Sequence, residues 1–132
     1  MNIEYKKALI CFQNGKINEA EEICFKLVKK DTGNINFLLL LGVIYFKKKK
    51  ILKSIEIFNK IIKQNPNHYQ AFFNLGNVFL SVKEFNKSLE CYNKAILINP
   101  EYKKAYNNRG NVMRELGMLN QAVKNYDKAI DF

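Results

Sequence analysis

The side chains best equipped for chemistry are scarce in this chain, which carries one histidine and three cysteines in 132 residues. His68 stands alone in the loop after Pro66, so no second imidazole exists to build a histidine metal site or to activate a nucleophile. Cys11 and Cys24 fall on facing positions early in the chain and are read either as small buried hydrophobes or as a redox-sensitive pair. Cys91 sits beside Tyr92 and is given no role. There is no glycine-rich phosphate loop and no acidic metal loop. The expectation is therefore a chain that is not an enzyme, with no catalytic residue, no metal and no cofactor.

What remains is amide and ammonium chemistry. Asn74 and Asn77 recur 34 residues later as Asn108 and Asn111. A side-chain amide donates and accepts hydrogen bonds at once, and asparagine is a poor helix former, so its repetition asks for a reason. Lysine and arginine outnumber the acids 22 to 12, for a formal charge of +10, and a run of four, Lys47-Lys48-Lys49-Lys50, is followed by Lys53. Such a surface attracts anions. The overall charge is read as a composition rich in residues with AT-rich codons (Lys, Asn, Ile) or as a surface for an acidic partner or membrane, and the lysine run as a solvated turn between two helices or as an anion contact with nucleic acid or acidic lipid. No nucleic-acid-binding motif accompanies the lysines, which makes nucleic acid the weaker of these.

The elements that must position these groups are helices. Gly42, Gly76 and Gly110 lie 34 residues apart, as do Pro66 and Pro100. Around each glycine one frame recurs: Leu38-x-x-Leu41-Gly42-x-x-Tyr45, Phe72-x-x-Leu75-Gly76-x-x-Phe79, and Tyr106-x-x-Arg109-Gly110-x-x-Met113. Downstream, Ser54, Phe58 and Ile61 align with Ser88, Tyr92 and Ala95, and with Ala122, Tyr126 and Ala129. Three- and four-residue spacing of large residues implies two amphipathic helices per unit. The glycines and the facing small residues let those helices approach closely, and each proline ends a second helix. A fainter first unit appears when Ile17, Ala20, Cys24 and Leu27 are set against Ile51, Ser54, Phe58 and Ile61.

This frame resembles the tetratricopeptide repeat, and the resemblance covers essentially the whole chain. It implies an all-α fold, a right-handed superhelical solenoid of antiparallel helix pairs. As a single domain over 1–132 it comprises a degenerate repeat at 1–34, repeats at 35–68 and 69–102, and a truncated one at 103–132. It also implies a scaffold whose first helices line a concave groove that holds a peptide or helix of a partner protein. Carried over by position, that role falls on Leu39, Leu40, Val43 and Phe46 in the second repeat. In the third and fourth it falls on Phe73, Asn74, Asn77 and Leu80, and on Asn107, Asn108, Asn111 and Arg114. The repeated amides would form two rungs that grip a peptide backbone. Some members grip a terminal carboxylate, and Asn74 and Lys104 stand where two of the gripping residues would be. Leu39, Val43 and Asn108 depart from that pattern, so this specialised version is not expected.

The second repeat's first helix is apolar nearly all round and requires cover. The cover is either an apolar side chain of a ligand or Tyr5, Leu9 and Phe12 of the first repeat. At the start, Glu4 and Lys7 replace apolar frame residues, which reads as a polar cap. At the far end Val123, Ile130 and Phe132 lack one, so either the array continues or copies associate there. The start lacks a signal pattern and the longest apolar run, residues 37–46, falls well short of the roughly twenty residues a bilayer span needs. With an odd number of cysteines this favours a reducing, cytoplasmic location.

Overall fold

In three of the four 34-residue units the two helices close on one another around a glycine, and in the first Ala8 takes that place. The computed structural model describes residues 2–132. Among these are eight helices: α1 (Ile3–Gln13), α2 (Ile17–Lys30), α3 (Ile35–Lys47), α4 (Ile51–Gln64), α5 (Tyr69–Ser81), α6 (Phe85–Ile98), α7 (Lys103–Glu115) and α8 (Leu119–Asp131). No strand occurs among the described residues. The fold is all-α, built from tetratricopeptide-like helix pairs, and the chain divides into two compact units, Met1–Pro66 and Asn67–Phe132.

In the first unit α2 packs on α1 and α3, α4 packs on α3, and α1 also reaches α3. The second unit repeats this with α6 on α5 and α7, α8 on α7, and α5 against α7.

The glycine positions show why the frame is so regular. A Cβ at Gly42 would fall 2.6 Å from the Phe58 ring, and one at Gly76 or Gly110 would fall 2.7 Å from the ring of Tyr92 or Tyr126. The aromatic residue of α4, α6 and α8 thus lies close against the glycine of the preceding helix. The facing serine adds a polar tie, since Ser54 Oγ donates to the Gly42 carbonyl and Ser88 Oγ to that of Gly76, both at 2.8 Å.

Turns repeat as closely as helices. Gly15, Lys49, Lys83 and Gly117, at 34-residue intervals, are all left-handed, with φ of 79°, 61°, 62° and 78°. In each turn the next backbone N–H bonds to a carbonyl five residues earlier: Lys16 to Cys11, Lys50 to Tyr45, Glu84 to Phe79, Met118 to Met113. This closes the first helix with a left-handed cap of the Schellman kind. The second helices α4 and α6 end two residues before Pro66 and Pro100, with Asn65 and Asn99 drawn out to φ of −135° and −128°, as a following proline requires.

Candidate functional site

The expected groove residues fall into the two units. In the first, Leu39 and Val43 are half-buried, whereas Leu40 is 7% exposed and belongs to a core with Ala8, Ala20, Cys24, Leu41, Ile44 and Tyr45. Tyr5, Leu9 and Phe12 pack against that core, and the Tyr5 ring meets Phe37 at 5.2 Å. Leu40 is therefore corrected from groove to core. The first repeat covers it, and α3 is apolar all round because α1, α2 and α4 surround it.

The second unit keeps an open face. A cavity of about 690 Å³ is lined by Phe73 of α5, Lys103, Lys104, Asn107 and Asn108 of α7, and Tyr126, Ala129 and Ile130 of α8. Four expected residues, Phe73, Lys104, Asn107 and Asn108, meet here. Several of the walls are held in place. The Phe73 ring packs edge-on against Tyr102 at 5.1 Å and tilted against Tyr92 at 5.9 Å. The Asn108 amide nitrogen donates to Asn77 Oδ1 at 2.8 Å, and the Tyr126 hydroxyl donates to Asn111 Oδ1 at 2.7 Å.

These bonds revise the meaning of the amide rungs. Tyr92 also donates its hydroxyl to Asn77 Oδ1, and burial pushes that hydroxyl's pKa up to about 12, so it is a neutral donor needing an acceptor. Asn77 and Asn111 supply the acceptors for Tyr92 and Tyr126. In the second repeat the corresponding residues are Val43 and Phe58, where there is no hydroxyl to satisfy. Asparagine recurs where tyrosine does, which gives the repetition an internal reason. Asn74 donates its amide nitrogen to the Gln70 carbonyl at 2.9 Å, within its own helix. Of the four expected rung residues, only Asn108 lines the cavity, and its neighbour Asn107 joins it.

The lysine run is partly spoken for. Lys48 and Lys50 place their ammonium nitrogens 2.7 and 2.9 Å from Glu21 of α2, and Lys50 and Lys53 lie over the Tyr45 ring, each at 5.6 Å from its centre. Two of the four consecutive lysines thus brace the first unit. Burial raises the Glu21 pKa, but hydrogen bonds and charge from Lys48 and Lys50 outweigh it and hold the carboxyl below its usual value.

The remaining chemical residues have structural partners. His68 Nδ1 accepts from the Ala71 N–H at 3.1 Å and caps α5, as Asn2 and Asn34 cap α1 and α3. Burial lowers the His68 pKa, favouring the neutral ring the cap needs. Cys24 and Cys91 are buried and burial pushes both thiols up to about 12, where a thiolate nucleophile is not formed. Cys24 Sγ lies against the Phe37 carbonyl at 3.3 Å and Cys11 Sγ near Glu19 at 3.8 Å, and all three cysteines are free. Among the described residues no cluster of three metal-ligating groups occurs and no helix is long and apolar enough to cross a membrane.

One polar cluster was not foreseen. Arg109 occupies the frame position of Leu75, and its guanidinium donates to Asn125 Oδ1 at 2.7 Å and Asn93 Oδ1 at 3.0 Å. Asn125, 34 residues on from Cys91, is 6% exposed. The signal was in the sequence, since both members of an apolar pair become polar in the same repeat.

Family comparison agrees with this geometry. Tetratricopeptide repeat profiles match residues 35–68, 69–102 and, in a shifted phase, 91–124. The chain belongs to the tetratricopeptide repeat family, whose general role is that of a protein-interaction scaffold. Among solved structures, a crystal structure of MamA is 29% identical with a TM-score of 0.86, covering 97% of this chain and 75% of its own. A second MamA crystal structure is 25% identical with a TM-score of 0.83, covering 98% and 70%. MamA from Desulfovibrio magneticus RS-1, at 17% identity, shares the fold with a TM-score of 0.86 over 97% of this chain and 72% of that one. Comparison with curated protein sequences gave no match.

Proposed function

We propose that the chain binds an extended peptide segment of a partner protein on the open α5, α7 and α8 face of its second unit. The observation that carries this reading is the 690 Å³ cavity lined by Phe73, Lys103, Lys104, Asn107 and Asn108 together with α8. A volume of this size lies within the range of small-ligand sites. Its walls combine apolar area with amides that can pair with a peptide backbone. The held positions of Phe73, Asn108 and Tyr126 lower the ordering cost of binding. Asn74, Asn77 and Asn111 act from behind, through the helices and rings they fix, and Leu39 and Val43 are half-buried on α3 of the first unit.

Selection of short peptides from a random display library on the immobilised chain tests the reading. The selected peptides should compete with one another and bind about tenfold or more weakly to a Phe73→Ala, Asn107→Ala variant, a loss of about 1.4 kcal/mol or more. Equal binding to the variant and the parent would overturn it.

A second reading, self-association through α8, is favoured by the exposure of Leu119, Val123, Ile130 and Phe132. Phe132 turns back to meet the Tyr106 ring at 5.4 Å, which removes part of that apolar surface. Sedimentation of a Val123→Lys variant that matched a self-associating parent would sink it.

A further inference from the structure

What distinguishes Lys103 and Lys104 is their place: two consecutive lysines on the wall of one cavity. Lys7, Lys26, Lys48 and Lys50 each have a carboxylate within 4 Å, and Lys29, Lys53 and Lys87 lie over aromatic rings. Lys103 and Lys104 have neither kind of partner among the described residues, and both line the cavity, whose wall contains no carboxylate. Two lysines thus share one wall with the apolar residues Phe73, Ala129 and Ile130. Ile130 is 80% exposed, so its apolar area is available for contact. We propose that this cavity selects an internal polypeptide segment pairing an acidic side chain with a bulky apolar one, the carboxylate meeting Lys103 and Lys104 and the apolar group meeting Phe73 and Ile130. The inference rests on the peptide-binding reading above and adds the chemistry of the ligand.

Charge and apolar area each explain part of the selectivity. Facing two unpaired ammonium groups, a carboxylate gains Coulomb energy that strengthens where apolar walls displace water, while a lysine in its place is repelled. The apolar residue supplies the area term, which a purely acidic segment lacks. Asn108 decides between an internal segment and a chain end. One of its N–H donors is committed to Asn77, and the amide keeps one donor and its carbonyl oxygen, which an internal peptide group matches with an acceptor and a donor while a terminal carboxylate offers acceptors only. A backbone running through the site meets that oxygen with a donor.

Fluorescence anisotropy with five short, fluorescein-labelled peptides separates these contributions. Four are blocked at the carboxy terminus and alternate Glu/Leu, Lys/Leu, Glu/Ser or Ser/Leu. The fifth is Ser/Leu with a free terminal carboxylate. The Glu/Leu peptide should bind about tenfold or more tightly than any other, weaken as salt rises, and lose about tenfold in a Lys103→Glu, Lys104→Glu variant. That variant should gain affinity for the Lys/Leu peptide. Both positions are exposed, so its circular dichroism and melting temperature should match the parent's. Lys/Leu binding as tightly as Glu/Leu, indifference to the charge reversal, or equal binding of the free-carboxylate peptide would overturn the proposal. Ser/Leu binding that equals Glu/Leu and falls in Phe73→Ala would overturn the acidic requirement alone and leave the peptide site standing. Failure of all five peptides to bind would count against both.

Discussion

The side-chain nitrogen of Asn108 donates to the side-chain oxygen of Asn77 across 2.8 Å, tying the first helix of the fourth repeat to that of the third. The same oxygen accepts the Tyr92 hydroxyl. One acceptor therefore serves a buried tyrosine and fixes a wall of the cavity. Asn77→Ala should cost about 1–3 kcal/mol in urea denaturation, because the hydroxyl and the Asn108 amide both lose their acceptor. The double change Asn77→Val, Tyr92→Phe should recover most of that loss, since it installs the pair that the second repeat already has in Val43 and Phe58. A double variant as unstable as Asn77→Ala would refute the pairing.

Gly76 is constrained by the same ring. A Cβ there would sit 2.7 Å from Tyr92 Cε1, and the ring is fully buried, so it has little room to retreat. Gly76→Ala should destabilise by about 1–3 kcal/mol by overpacking, despite alanine's better helix propensity. Thermal melting decides it, and an unchanged or higher midpoint would contradict the close approach.

Lys83 holds a left-handed backbone at φ 62° where the matching turns at 15 and 117 use glycine. Strain of this kind costs a lysine about 1–2 kcal/mol, and glycine gives some of it back through unfolded-chain entropy. Lys83→Gly should stabilise by about 0.5–1 kcal/mol in urea denaturation. A loss of stability would show that the lysine side chain does more at this turn than its geometry indicates.

Glu21 predicts a pH dependence. Its carboxyl is held below the usual value by Lys48 and Lys50, so the unfolded chain binds its proton first as pH falls. The contribution is present above the ordinary carboxylate pKa and is lost as pH drops through the depressed folded value. Glu21→Gln should lower stability at neutral pH and reduce the loss that sets in as pH falls below the ordinary carboxylate pKa. Denaturation at several pH values that gave parallel curves for parent and variant would show that the two lysines do not brace α2.

Much of the fold was legible because its frame is local and repeated. Gly42, Gly76 and Gly110 marked three of the four first helices, and Pro66 and Pro100 the ends of two second helices. The site was less so. Leu40 looked available because α3 is apolar on all sides, and only the packing of Tyr5, Leu9 and Phe12 showed that the first repeat uses that surface. Glu21 lies 29 residues from Lys50, a pairing no local pattern displays. The tyrosine–asparagine tie was readable, since Tyr92 and Tyr126 each lie 15 residues after an asparagine, as was the joint appearance of Arg109 and Asn125. Reading each repeat by itself hid both, because the signal is a correlated change between repeats.

Nitrogen-15 NMR titration of the chain with a display-selected peptide addresses the peptide-binding face directly. The account predicts that amide shifts concentrate at Phe73, Lys103, Lys104, Asn107 and Asn108 and along α8 beside Ala129 and Ile130. Shifts confined to the turn at residues 47–53, or to the first unit's helices, would contradict it.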